Sequence, residues 1–278
     1  MDHEDWTSTQ DEVTVSVDDH DLHVAYHDAG AGDPVVLLHG IPTWSYLWRE
    51  VAAVLTDQYR VIAPDLLGYG NSAQHDGFDR SIRAQESMIV SFMDRLGLES
   101  APLVGHDIGG SAALRTAWHT PELVDRLVLS NVGCFDSWPV EFINGLGLPG
   151  AVTGMDEAEF GETFQQVFGG GLYTDDPPQE FIDGMIAPWR SDEGRVSLER
   201  CAVATNTNHT TEIEYGTITA PTLLLWGGED VLQPVEYAER LADELGGPTA
   251  LESLDRAYHW VVQDRPEAYT DHLLDFLG

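Results

Sequence analysis

Two short segments near the start of the chain alternate apolar and polar residues, Val13-Thr14-Val15-Ser16-Val17 and Leu22-His23-Val24-Ala25-Tyr26. A period of two predicts half-buried strands, with Asp18 to Asp21 turning the chain between them. The pattern then changes. Pro34-Val35-Val36-Leu37-Leu38 and Arg60-Val61-Ile62-Ala63-Pro64-Asp65 carry unbroken apolar runs, as strands buried on both faces do. Pro102-Leu103-Val104, Leu127-Val128-Leu129 and Thr222-Leu223-Leu224-Leu225 read the same way. Helical spacing falls between them, over 46–55, over 82–97 and from the Gly-rich segment after Val104 through Ala117, with a last helix over 264–277. Strand alternating with helix predicts a mostly parallel sheet covered by helices on both faces, an α/β fold.

The alternation stops near Asn131 and resumes near Ala220. The interval has helical patches over 157–168, 179–187 and 194–203 and no strand pattern. It is too long for a loop. Residues 134–218 are therefore expected to form a helical cap near the carboxyl edge of the sheet, where ligands bind in open α/β folds. The core is then 12–133 with 219–278, and residues 1–11 are expected to be a polar, frayed tail.

Composition narrows the function. No apolar run approaches the ~20 residues of a membrane span. The acidic start, Met1-Asp2-His3-Glu4-Asp5, has no secretory core. A cytoplasmic location is the expectation, and two cysteines, Cys134 and Cys201, suit a reduced compartment and make no zinc pattern. Forty-eight acids against thirteen bases give −35, and every base is arginine. Such a surface repels phosphate backbones, which argues against nucleic-acid binding. Self-repulsion on this scale weakens a compact state unless salt screens it. The composition resembles proteins of extremely halophilic archaea, and a salt-loaded cytoplasm is the expected setting.

Candidate chemistry collects at strand ends. Val104-Gly105-His106-Asp107-Ile108-Gly109-Gly110 follows a strand and opens a helix. It fits the nucleophile-elbow pattern Gly-x-nucleophile-x-Gly, with Asp107 where Ser is usual. The helix N-terminus there favours negative charge, although a helix-capping Asp would read alike. Leu38-His39-Gly40-Ile41-Pro42-Thr43 also lies just beyond a strand. Its turn can aim the Ile41 N–H at the site, and with the Ile108 N–H this makes a candidate oxyanion hole; the His39 side chain reads as a turn residue bonded to backbone. A base, His259, precedes the last helix. An acid stands at the end of the strand before it, where Glu229 and Asp230 both qualify. Nucleophile, acid and histidine in that chain order form a triad.

These segments together resemble an α/β-hydrolase of the haloalkane dehalogenase and epoxide hydrolase branch. The carriers are His39-Gly40-Ile41-Pro42-Thr43 with Ser45-Tyr46-Leu47-Trp48-Arg49, and Ala63-Pro64-Asp65-Leu66-Leu67-Gly68-Tyr69-Gly70-Asn71-Ser72. Gly105-His106-Asp107, Trp226-Gly227-x-x-Asp230 and His259-Trp260 complete them. The resemblance runs from about residue 12 to the end and is weakest in the cap. It implies Asp230 as the acid; some dehalogenases carry a Glu after the preceding strand instead, and here that position is Asn131. It implies no cofactor, and a small-molecule substrate and water as the only partners. Two departures stand out. Dehalogenases usually place Asn after the His-Gly pair and Trp after the nucleophile, to hold the departing halide; this chain has Ile41 and Ile108. Epoxide hydrolases use two cap tyrosines as proton donors; this cap offers Tyr173 and Tyr215. An indole N–H from Trp44, Trp138 or Trp189 could replace the missing halide donors, although packing is the ordinary role of a buried Trp.

An Asp nucleophile changes the reaction expected. Unlike Ser, a carboxylate is ionised near neutral pH and can displace a leaving group from saturated carbon without a base. His259 would then activate water against the resulting ester. Carbon–halogen cleavage on a small, neutral, apolar substrate is the leading expectation. Epoxide hydrolysis, ester or lactone hydrolysis, and a non-catalytic small-molecule receptor on the same fold are the alternatives.

Overall fold

The computed structural model describes residues 1–278. Eight strands form one sheet: β1 (Gln10–Val17), β2 (His20–Ala29), β3 (Pro34–Leu38), β4 (Arg60–Pro64), β5 (Ala101–His106), β6 (Val124–Ser130), β7 (Thr222–Gly227) and β8 (Thr249–Leu254). Their order is β1-β2-β4-β3-β5-β6-β7-β8. The first two strands run antiparallel to their neighbours, and β4, β3 and β5 to β8 are parallel. The apolar runs occupy the middle of the sheet, where every residue from Val35 to Leu38 and from Leu127 to Leu129 is fully buried. β1 keeps an alternating pattern toward its end because it is the edge strand, whereas β2, paired on both sides, is buried continuously from Val24 to His27.

Helices α1 (His3–Ser8), α2 (Arg49–Leu55), α3 (Ile82–Arg95) and α4 (Ile108–His119) belong to the first half of the core. The cap follows β6 and has five helices: α5 (Glu141–Leu146), α6 (Glu157–Gly170), α7 (Gln179–Ile186), α8 (Asp192–Val203) and α9 (Asn208–Thr211). The chain then returns to the core for α10 (Val235–Glu244), α11 (Val261–Asp264) and α12 (Pro266–Leu277). Two helix pairs, α3 with α4 and α2 with α12, pack together over the sheet. Both cysteines are free and buried. No helix is long and apolar enough to cross a membrane.

The frayed-tail expectation for residues 1–11 is corrected. Asp2 caps α1 by accepting the Asp5 N–H at 2.8 Å. Trp6 is buried, donates its indole N–H to Ser45 Oγ at 3.0 Å, and stacks on His27. Burial of Trp6 and its bond to Ser45 offset part of the entropy cost of ordering the segment. β8 and α10 are additions to the elements expected from the sequence.

Candidate active site

The carboxyl ends of β3, β5, β6 and β7 meet beneath the cap. Asp107 lies between β5 and α4 at φ 51° and ψ −125°. This is a strained backbone for a non-glycine residue, of the kind found where a side chain must be aimed. The neighbouring glycines make the bend possible. A Cβ on Gly105 would lie 2.7 Å from the Gly110 nitrogen, and one on Gly109 would lie 2.5 Å from the Leu38 carbonyl oxygen. At Gly40 it would lie 2.5 Å from Asp107 Oδ1. The backbone after β3 can therefore approach the carboxylate only as glycine.

That approach delivers the Ile41 N–H, which donates to Asp107 Oδ1 at 2.8 Å. The Ile108 N–H, at the start of α4, adds to the pull that favours the ionised carboxylate. His39 holds the turn: its Nδ1 bonds the Gly40 carbonyl at 2.9 Å, and its Nε2 accepts the Leu66 N–H at 2.9 Å. Burial drives its pKa down to about 3, so the ring is neutral. It serves the backbone, as its place in the turn implies.

The other Asp107 oxygen, Oδ2, faces His259 Nε2 at 3.8 Å. His259 Nδ1 bonds Asp230 Oδ2 at 2.8 Å. All three residues are at least 95% buried. Burial raises the Asp107 pKa above the usual carboxylate value, against the pull of His259 and the two N–H groups. For His259, burial disfavours the charged ring, but the charge and hydrogen bond of Asp230, with help from Asp107, prevail and raise its pKa. Asp230 is displaced the other way: burial opposes its charge, yet His259 and its other donors hold it below the ordinary value.

Asp230 is fixed on three sides. Besides His259 it accepts the Leu232 N–H at 2.8 Å and the Asn131 amide at 2.6 Å. Asn131 Oδ1 in turn accepts the Gly227 N–H at 3.0 Å. Asn131 thus orients the acid, a role that its position after β6 only hinted at. Glu229 faces elsewhere and accepts the N–H groups of Arg256 and Ala257 at 3.1 and 3.2 Å, shaping the loop that carries His259. The ring of His106 packs against His259 at 4.8 Å. Burial and the neighbouring His259 charge keep it neutral.

Asp107 and His259 open onto a cavity of about 400 Å³ between core and cap. Its wall is largely apolar and includes Ile41, Pro42, Trp138, Val140, Ile143, Val167 and Leu232. Four of the proposed substrate contacts are corrected. Trp44 donates its indole N–H to the Gly184 carbonyl at 2.9 Å, and Trp189 donates to the Pro42 carbonyl at 2.8 Å. Each takes a backbone acceptor because a buried N–H is costly unpaired, and together they stitch core to cap. Tyr215 donates to the Thr210 carbonyl and accepts the Phe135 N–H, both at 2.9 Å, away from the cavity. Tyr173 is 41% exposed and packs on Tyr258 outside the wall. Trp138 remains. It is buried, it lines the cavity, and its indole N–H has no protein partner. The wall also contains two residues that motif reasoning passed over, Tyr258 and Gln233. No group of His, Cys, Asp and Glu side chains is arranged to hold a metal ion.

Comparisons with known proteins agree with this architecture. A family model described as alpha/beta hydrolase fold matches residues 33–153. A 2-hydroxy-6-oxononadienedioate/2-hydroxy-6-oxononatrienedioate hydrolase of Paraburkholderia phymatum is 32% identical over 274 residues, covering 93% of this chain and 92% of its own. Haloalkane dehalogenase 2 of Mycobacterium tuberculosis is 27% identical over 266 residues, covering 92% and 91%. The crystal structure of an alpha/beta hydrolase fold protein from Burkholderia ambifaria superposes with a TM-score of 0.86 at 26% identity, over 95% of this chain and 97% of that one.

Proposed function

Because this chain belongs to the α/β-hydrolase family, and is an enzyme of that family, we propose that it hydrolyses carbon–halogen bonds through a covalent ester on Asp107. One observation carries the reading: the Ile41 N–H fixes Oδ1 at 2.8 Å, which leaves Oδ2 free toward His259 and the apolar cavity.

In the first step Oδ2 forms a bond to the substrate carbon and the halide leaves with the bonding pair. Desolvation, the cause of the raised Asp107 pKa, strips water from the attacking oxygen. On this reading the Trp138 indole, whose N–H has no protein partner, turns that N–H into the cavity to receive the halide, replacing the donors that Ile41 and Ile108 lack as side chains. In the second step His259 Nε2 takes a proton from water, and the water oxygen bonds to Asp107 Cγ. The tetrahedral oxyanion grows on Oδ1, which accepts the Ile41 N–H, and on this reading the Ile108 N–H completes the oxyanion hole. Collapse breaks the Cγ–Oδ2 bond, His259 protonates the departing alkoxide, and the alcohol leaves. Asp230 stabilises the imidazolium between these transfers. The sum is haloalkane plus water giving alcohol, halide and a proton.

Epoxide opening is the second reading, and Tyr258 is what favours it, since a tyrosine belongs to the cavity wall. An alkoxide leaving group needs a proton, whereas a halide needs only a hydrogen bond, so the lone Trp138 N–H supports the first reading. The His259→Gln variant tests the covalent step. Incubated with substrate, it should gain the mass of the alkyl group on the peptide holding Asp107; an unmodified variant, under conditions where the wild type turns over, contradicts the ester. The incubation belongs in multimolar KCl, because we also propose that the −35 charge must be screened for the fold to hold. Equal melting temperatures in low and high salt would overturn that part.

A further inference from the structure

The segment 258–264, which carries His259, is closed by its own last residue. Asp264 ends α11, and its Oδ2 accepts the N–H of Tyr258 at 2.8 Å, six residues back and next to the base. Inside that ring the Val261 N–H bonds the His259 carbonyl at 2.9 Å, and the Gln263 and Asp264 N–H groups bond the Trp260 carbonyl at 2.8 and 2.9 Å. The other carboxylate oxygen reaches across to the cap, where Oδ1 accepts the N–H of Tyr173, just beyond α6, at 2.8 Å. Burial lifts the Asp264 pKa to about 6 against the pull of those two N–H groups, so at neutral pH the side chain is ionised and both oxygens accept.

Two more bonds run along the same seam. The Trp260 N–H donates to the Gly171 carbonyl and its indole N–H to the Phe168 carbonyl, both at 3.1 Å. They serve carbonyls at the end of α6, which lack donors within the helix. The base is therefore held by a carboxylate on either side. Glu229 fastens Arg256 and Ala257 to the core, and Asp264 fastens Tyr258 to the cap.

We propose that Asp264 is a positioning residue for His259, which anchors the base to the cap and so sets its place between Asp107 and Asp230. It acts through main chain and meets no reacting atom. Asp107 is held by separate segments, the turn after β3 and the bend after β5. Loss of the Asp264 clamp therefore leaves the nucleophile in place and displaces the base. The first step needs no base, whereas hydrolysis of the ester does. The kinetic consequence rests on the covalent reading proposed above; the geometry does not.

Asp264→Asn keeps the shape of the side chain but exchanges one acceptor for an amide N–H₂, so one of the two bonds is lost. Two measurements read the result. Imidazole NMR, with the His259 signal assigned by its absence from His259→Gln, needs no substrate. The His259 pKa should fall, because against burial its charge is held up by Asp230 at 2.8 Å and by Asp107, not by Asp264. A titration that stays in place overturns the proposal, even where the melting temperature drops. Rapid quench with a bromoalkane then follows bromide. The variant should release one equivalent at near the wild-type rate, carry the alkyl mass on Asp107, and turn over about tenfold more slowly. Both steps slowed together, or neither, overturns the positioning role. No bromide from the wild type, with the NMR shift present, overturns the carbon–halogen reading and leaves Asp264 in place.

Discussion

Asp107 and Trp138 face one cavity but are held in different ways. Asp107 is fixed by main chain. Gly40, Gly105 and Gly109 let three backbone segments close around it, and the Ile41 N–H grips one oxygen. Trp138 stands at the start of the cap, packed against Gly133, with its polar atom unengaged. The floor of the cavity thus holds the proposed nucleophile in an over-determined geometry. The wall holds groups that wait for whatever the substrate brings. Chemistry on such a floor should be intolerant of sub-ångström change, while the wall should accept substitution and alter only which substrates are preferred.

The largest effect expected is on the floor, at Asp230. Asp230→Asn should lower kcat about 10³-fold or more, by the loss of an oriented and stabilised imidazole. Its residual activity carries a second signature. Asp230 is the chief group holding the His259 pKa up against burial. Without it that pKa falls, so the neutral base survives to lower pH and the acidic limb of the profile moves down. A profile that stays in place would show that His259 is not the titrating base. Next comes Gly40→Ala. Its new Cβ would lie 2.5 Å from Asp107 Oδ1, so the carboxylate must shift, and kcat should fall about 10²-fold with melting temperature little changed. Smallest is Trp138→Phe, on the wall. It keeps an aromatic ring but removes the pyrrole portion with its N–H, so halide release should slow about tenfold with an unaltered pH profile. A loss at Trp138→Phe as large as that at Gly40→Ala would erase the distinction between floor and wall.

The same division governs what could be read from the sequence. The floor was legible because glycine spacing and strand-end position report on main chain. Asp107, the Ile41 N–H and the backbone-bonded role of His39 follow from local pattern, His259 follows from chain order, and the structure brings them together. The choice of Asp230 over Glu229 rested on family spacing, and the hydrogen bonds explain it. The wall was less legible. Whether an indole N–H is free depends on a carbonyl that is distant in sequence, as Gly184 is for Trp44, and no local signal carries that. β8 escaped notice because it pairs on one side only and keeps polar residues such as Glu252 exposed. α10 was within reach, since Ala238 and Leu241 carry helical spacing and are buried. The N-terminal helix hid behind its acids, and Trp6 was its one signal.

The central claim is that an oxygen of Asp107 becomes the oxygen of the product. A single turnover in ¹⁸O-water, with enzyme in excess over substrate, addresses it directly. The account predicts unlabelled alcohol and one heavy oxygen in the Asp107 carboxylate, read by peptide mass. Labelled alcohol with an unlabelled Asp107 would mean that water attacks the substrate itself, and would contradict it.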